Sequence, residues 1–256
     1  MQSPKLIFDY DGVLLDSVRE IAVTAYNLLQ GTIATRLDQL PPNALQLFLR
    51  NRFHVQPIGD APVLMKHCLE IGATDPDTLL TPAEYEALIK PVAEPVAART
   101  TRFFETRNLF KAKDLKAWTE LNAPVQPLWQ IMIEKPTAAL VLLTNKNRDS
   151  TVSLSSHFGL MVNEDNIYSG DHGTTKIANM SQIMQRFRQP AYAFIDDSVK
   201  NLRELDEHFN RQEKIISLIF ATWGYTGPDD ARMARDFGYQ VVTIDEFAPK
   251  LKAMSF

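Results

Sequence analysis

From about residue 124 onward, short apolar runs of strand length alternate with longer stretches that carry helical spacing, and this alternation constrains the chain to repeated βα units around a parallel sheet. The spacing predicts strands at 138–143, 191–195, 215–220 and 240–244, and helices at 150–157, 177–188, 199–209, 229–236 and 246–253. Residues 5–9 form one more predicted strand, which belongs with the later sheet because a single short strand cannot bury its faces alone. Residues 17–123 have a different texture, with no convincing strand. There Ile21, Ala25, Leu28 and Leu29, and again Leu45, Phe48 and Leu49, recur at helical spacing. Breaks fall at Pro41 and Pro42, at Gly59 and Asp60, at 72–77 and at 91–95. The expected organisation is an α/β core from 1–16 and 124–256, interrupted by an all-helical insertion at 17–123.

Composition narrows the class of partner. A chain of 256 residues with 45% hydrophobic content exceeds the usual single-domain size and can bury a substantial core. The net charge of −4 arises from interspersed acids and bases, which argues against a nucleic-acid or anionic-membrane surface and for a small soluble partner. The only cysteine, Cys68, cannot form an internal disulfide; its apolar context predicts a buried thiol in a reducing compartment. The apolar run before Asp9 is far short of a signal peptide, and runs such as 138–143 and 215–221 are too short to cross a bilayer. The expected location is cytoplasmic.

Four stretches carry chemistry. In Phe8-Asp9-Tyr10-Asp11-Gly12, an apolar strand runs into two carboxylates two residues apart, which in extended chain point the same way, at the strand end where parallel sheets place ligands. An ordinary strand-to-turn junction explains that stretch equally well in isolation. Val141 to Lys146 is an apolar strand ending in Thr144 and Asn145, which suit phosphate oxygens or, alternatively, a helix N-cap. Lys176 opens a helical segment, where it could meet an anion beside free amides or simply be exposed. Asp196 and Asp197 again end a strand, as adjacent like charges that a hard cation would reconcile. That three predicted strands of one sheet end this way is hard to credit to turn chemistry.

In order and approximate spacing, Asp9-Tyr10-Asp11-Gly12-Val13, Thr144-Asn145, Lys176 and Asp196-Asp197 resemble the four motifs of the haloacid dehalogenase superfamily of hydrolases. Trp223-Gly224-Tyr225 also resembles the C-terminal part of that family. The resemblance implies a Rossmann-like three-layer core with a helical cap, as in the phosphoglycolate phosphatase and β-phosphoglucomutase branch. It assigns Asp9 as nucleophile and Asp11 as general acid and base, with Mg²⁺ between the Asp9 carboxylate, the Asp11 main-chain carbonyl and Asp197. Asp196 would be an additional or outer ligand, Thr144 and Asn145 would hold the phosphoryl group, and Lys176 would neutralise it. Members that displace halide from carbon lack an Asp at the second position, so Asp11 favours phosphate esters.

The expected activity is therefore Mg²⁺-dependent hydrolysis of a small phosphorylated metabolite by a monomer or homodimer. A sugar phosphomutase, a 2-haloacid dehalogenase and a non-catalytic binding protein are the alternatives. Asp16 and Ser17 read as hinge or N-cap residues. Arg50, Arg52, His54 and Arg107 are chemically suited to a substrate but read more readily as surface or ion-paired groups. Phe103, Phe104, Leu109 and Phe110 read as core, and His67, His157, His172 and His208 show no metal-site spacing.

Overall fold

The computed structural model of the chain describes residues 4–254. It divides into two compact units, Met1–Asp16 with Pro124–Phe256, and Ser17–Ala123. The first unit is built on a sheet with strands β1 (Lys5–Phe8), β2 (Leu142–Leu143), β3 (Ile167–Tyr168), β4 (Tyr192–Asp196), β5 (Ile216–Ala221) and β6 (Gln240–Val242). Their order is β3-β2-β1-β4-β5-β6 and every pairing is parallel. The chain winds outward from β1 to β3 on one side and restarts at β4 on the other. The strand order thus reverses between β1 and β4, and crevices in such sheets open beyond the strand ends at that point.

Parallel strands covered on both faces read as continuous apolar runs, and Leu6, Ile7, Phe8 and all of β4 are buried. On one face Ile7, Leu143, Phe194 and Phe220 join a core with Met180 and Ile183 of the helix Lys176–Phe187 and Leu202 and Leu205 of the helix Val199–Phe209. On the other face Phe8 meets Phe247 edge-on, with ring centroids 6.4 Å apart, and Phe247 in turn stacks on Trp223 at 5.9 Å. The result is the three-layer, Rossmann-like α/β arrangement that the alternating pattern implies.

The boundaries differ from expectation where local chemistry intervenes. Within 138–143 only Leu142–Leu143 is strand, because Pro136 leads into a 3₁₀ turn at Thr137–Ala139. Strand β6 stops at Val242 rather than at 244. Thr243 there forms a capping box with Glu246 and starts the helix Ile244–Ala253. Strand β3 went unread: two residues between two 3₁₀ turns carry no periodicity.

The second unit is helical, with helices Val18–Gln30, Pro42–Asn51, Ala61–Ile71, Pro82–Ile89, Val96–Lys113 and Leu115–Glu120. Prolines start several of them, at the first helical positions where the missing N–H costs nothing. The buried faces are shifted from the expected stripes. Ile21 and Ala25 are buried but Leu29 is exposed, and Ala44, Leu47 and Phe48 are buried while Leu45 and Leu49 are half-buried. Phe103 and Phe110 are core, whereas Leu109 is exposed.

Arg107 is a fully enclosed partner of Glu20, with its Nε and one Nη donating to the two carboxylate oxygens at 2.9 and 2.8 Å. Both side chains are essentially inaccessible, at 2% and 0% exposure, and Thr24 also donates to Glu20. This fork-on-carboxylate geometry satisfies charges that burial would otherwise penalise. Arg107→Met, which leaves Glu20 without its guanidinium, should cost roughly 3–5 kcal/mol, read as a fall in the urea midpoint. Adding Glu20→Leu should recover most of that loss.

Candidate functional site

Strand register builds the site. Phe8 pairs with Ile195 on one side and Leu142 on the other, so the residues just beyond them converge at neighbouring strand ends. The Asp9 N–H donates to the Ile195 carbonyl at 2.8 Å, which sets Asp9 beside Asp196 and Asp197. Beyond Asp9 the chain turns tightly: the amides of Leu14 and Leu15 donate to the Tyr10 carbonyl, and that of Gly12 to the Leu15 carbonyl. Gly12 sits at φ +87°, and a Cβ there would lie 2.1 Å from Asp197 Oδ2. Gly224 packs against the same side chain, since a Cβ there would lie 2.3 Å from both the Cβ and Oδ2 of Asp197. The Tyr225 N–H donates to Asp197 Oδ2 at 2.5 Å, its hydroxyl lies 3.2 Å from Asp16 Oδ1, and Trp223 Nε1–H donates to the Val13 carbonyl at 3.1 Å. The 223–225 loop therefore holds both Asp197 and the turn after Asp9.

Lys176 lies at the centre of this cluster. It begins the helix Lys176–Phe187, whose N-cap Thr175 accepts the Ala178 N–H, and it is buried rather than surface-exposed. Its Nζ is 2.6 Å from Asp196 Oδ2 and 3.2 Å from Asp9 Oδ1. Asp196 also accepts the Ser198 amide at 2.8 Å and Asn201 Nδ2 at 3.0 Å, so both of its oxygens are occupied. Asp9 differs. Its Oδ1 is buried in an ion-pair contact whose alignment leaves it without a hydrogen bond.

Burial is the main force on these groups. It pushes the Asp9 carboxyl up to about 7; Lys176 opposes that rise, and the negative charges of Asp196 and Asp11 add to it. Asp197 is raised well above the carboxylate range by burial, then by repulsion from Asp196 and Asp9. Burial by itself would lower the Lys176 ammonium, but Asp196 and Asp9 outweigh it and raise the group.

Among the described residues, Asp9, Asp196 and Asp197 are a group able to hold a metal ion, each offering an oxygen within 4.8 Å of the others. When ionised, these three and Asp11 face the ammoniums of Lys146 and Lys176 with two negative charges in excess. A hard dication would supply that charge, and the Asp9 oxygen that lacks a hydrogen bond and the Asp197 oxygen not taken by Tyr225 suit it.

The remaining predicted residues are placed as follows. Thr144 is buried at the end of β2, its hydroxyl oxygen accepting the Lys146 N–H at 3.1 Å. Asn145 is exposed beside it. Ser17 occupies the N-cap of Val18–Gln30. Arg50 binds Asp77 at 3.0 Å, Arg52 donates to the Val55 carbonyl at 2.9 Å, and His54 bonds the Leu80 carbonyl at 2.8 Å and stacks on Tyr85. These three side chains brace their own unit. Cys68 is fully buried, and burial pushes its thiol up to about 12.

Lys146 was not singled out from the sequence, yet its fully buried ammonium bridges both Asp11 oxygens, at 3.1 and 3.2 Å. The available signal was its spacing. Two residues after Thr144 on an extended strand end, it shares the side that Thr144 presents.

The Asp9 shift has a definite sign in stability. Between its ordinary value near 4 and about 7, the folded chain holds a proton that the unfolded chain releases, so metal-free stability falls as pH rises through that window. A dication competes with those protons and binds more tightly at higher pH. In thermal melts, Mg²⁺ should therefore raise the midpoint more at about pH 8 than at about pH 6, and Asp197→Asn should remove most of the increment.

No protein-family model and no curated protein matches the chain. Solved structures do. One described as a predicted phosphatase from Clostridium acetobutylicum superposes with a TM-score of 0.59 at 14% identity, covering 99% of this chain and 100% of that one. Another, described as a predicted phosphoglycolate phosphatase from Haemophilus somnus 129pt, gives 0.56 at 16% identity, covering 98% of each chain. A haloacid dehalogenase-like protein of unknown function from Agrobacterium tumefaciens gives 0.54 at 15% identity, also covering 98% of each. The chain has the haloacid dehalogenase-like fold.

Proposed function

We propose that this chain of haloacid dehalogenase-like fold is a Mg²⁺-dependent phosphohydrolase, which removes phosphate from a small phosphorylated metabolite through a phospho-Asp9 intermediate. The observation that carries the reading is the buried meeting of Asp9, Asp196 and Asp197 around Lys176, whose Nζ lies 3.2 Å from Asp9 and 2.6 Å from Asp196. Acids gathered at a sheet's switch point, with one oxygen of Asp9 ion-paired to Lys176 but without a hydrogen bond, suit a nucleophile that works beside a cation.

In this reading an Asp9 oxygen attacks phosphorus as the bond to the ester oxygen breaks, and Asp11 gives that oxygen its proton. Asp11 then takes a proton from the water that hydrolyses the acyl phosphate. Lys176 opposes the charge on the transferring group. The Thr144 hydroxyl oxygen already accepts the Lys146 amide, so its own proton is directed to a phosphoryl oxygen, and Asn145 offers an amide from the exposed strand end. Mg²⁺, held by Asp9, Asp197 and the Asp11 main-chain carbonyl with Asp196 outside them, would supply the positive charge that lets a carboxylate approach a phosphate ester. The helical unit, as a cap domain, is assigned the choice of substrate. Net negative charge and a buried, reduced Cys68 accord with a small-molecule substrate and a cytoplasmic setting.

Asp9→Asn should abolish Mg²⁺-dependent hydrolysis of para-nitrophenyl phosphate. The fold should survive, because a buried carboxyl whose ionised form is disfavoured is replaced by a neutral amide of the same shape. Wild-type-like turnover in a folded Asp9→Asn protein would refute the mechanism.

A further inference from the structure

The pairing of Lys146 with Asp11 has no counterpart in the roles assigned so far. Lys146 follows the end of β2, its side chain is 0% exposed, and its Nζ is nearly equidistant from the two oxygens of Asp11, whose own side chain is 20% exposed. An ammonium is rarely enclosed without a task, since burying it costs free energy that only a well-placed partner offsets. Here the enclosed group is the lysine and the accessible one is the carboxylate, so the buried side chain anchors the side chain that opens toward solvent. The backbone reinforces the geometry: the Lys146 N–H is fixed by the Thr144 hydroxyl, and the turn that carries Asp11 is fixed by the Gly12–Leu15 hydrogen bond.

We infer that Lys146 is a positioning residue for proton transfer: its ammonium, 3.1 and 3.2 Å from the two oxygens of Asp11, fixes the orientation of that carboxyl group and so aims its proton at the ester oxygen. The inference rests on the reading of Asp11 as proton donor. Lys146 itself exchanges no proton. When the Asp9–phosphorus bond forms and the phosphorus–ester bond breaks, the proton moves from Asp11 to the departing oxygen, and it is regained from water when the acyl phosphate is hydrolysed. A proton donor held within a narrow range of geometry contributes far more than one free to rotate.

The leaving group separates this role from a merely structural one. A nitrophenolate departs without a proton, whereas an alkoxide needs one. The measurement is kcat/KM, which reports the bond-breaking step, for para-nitrophenyl phosphate and phenethyl phosphate with Mg²⁺, in the full chain and in Lys146→Met, Lys146→Gln and Lys146→Arg, each checked for folding by circular dichroism. The expected result is a fall of roughly 10²-fold in the alkyl-to-aryl ratio for the Met and Gln variants, partly restored by Arg. Adding Lys146→Gln to Asp11→Asn should leave that ratio where Asp11→Asn alone puts it. An equal loss on both esters, or a further fall of the ratio in the double variant, overturns the inference while leaving the phosphohydrolase reading intact. Wild-type protein that hydrolyses neither ester overturns that reading and the inference with it.

Discussion

Gathering four carboxylates where β1 and β4 end is the constraint to which the rest of the core unit responds. Asp9, Asp196 and Asp197 are almost wholly removed from water, and burial together with mutual repulsion disfavours the charged forms of Asp9 and Asp197. Two enclosed lysines, the Ser198 and Tyr225 amides and Asn201 offset part of that cost. Even the glycines follow from it. At Gly12 and Gly224 the backbone comes so near Asp197 that any side chain would displace the carboxylate.

The four acids are not equivalent, and their differences come from hydrogen bonding more than from position. Asp196 has both oxygens engaged and serves as a fixed negative base that keeps Lys176 in place. Asp9 keeps an oxygen that meets Lys176 as an ion pair but has no aligned hydrogen bond. Asp197 is fixed through one oxygen by a main-chain amide, a tether that orients without neutralising. Asp11 sits apart on its own lysine. Asp9, Asp196 and Asp197 thus share one buried site with unequal hydrogen bonding, and each still offers an oxygen within 4.8 Å of the others.

Much of this was legible in the sequence because strand-end chemistry is local. Apolar runs located β1, β4, β5 and β6, and the acids immediately after β1 and at the end of β4 converge because parallel register carries adjacent strand ends to the same edge. What the sequence could not convey depends on tertiary contact. Lys176 looks like any helix-opening lysine until Asp196 and Asp9 close on it. Lys146 looks like part of a turn until Asp11 meets it. Strand β3 is too short to show a period, and Leu29 and Leu109 are apolar residues on helical stripes that nonetheless face solvent. The Trp223-Gly224-Tyr225 loop carried a resemblance but no visible reason; that reason is its grip on Asp197 and Asp16.

The same locality explains how the chain superposes along nearly its whole length on structures with which it shares 14–16% of its residues, while no family model matches it. A sheet of this kind needs only apolar, well-packed residues in most positions, and those interchange freely. The buried acids and lysines at the strand ends are too few to raise identity. The helical unit carries its own ion pairs. Its Arg50, Arg52, Arg99 and Arg107 are all engaged by partners within that unit, Arg99 with Asp60 among them. Among the described residues, the ammoniums that meet the acidic cluster are those of Lys146 and Lys176, both in the core unit.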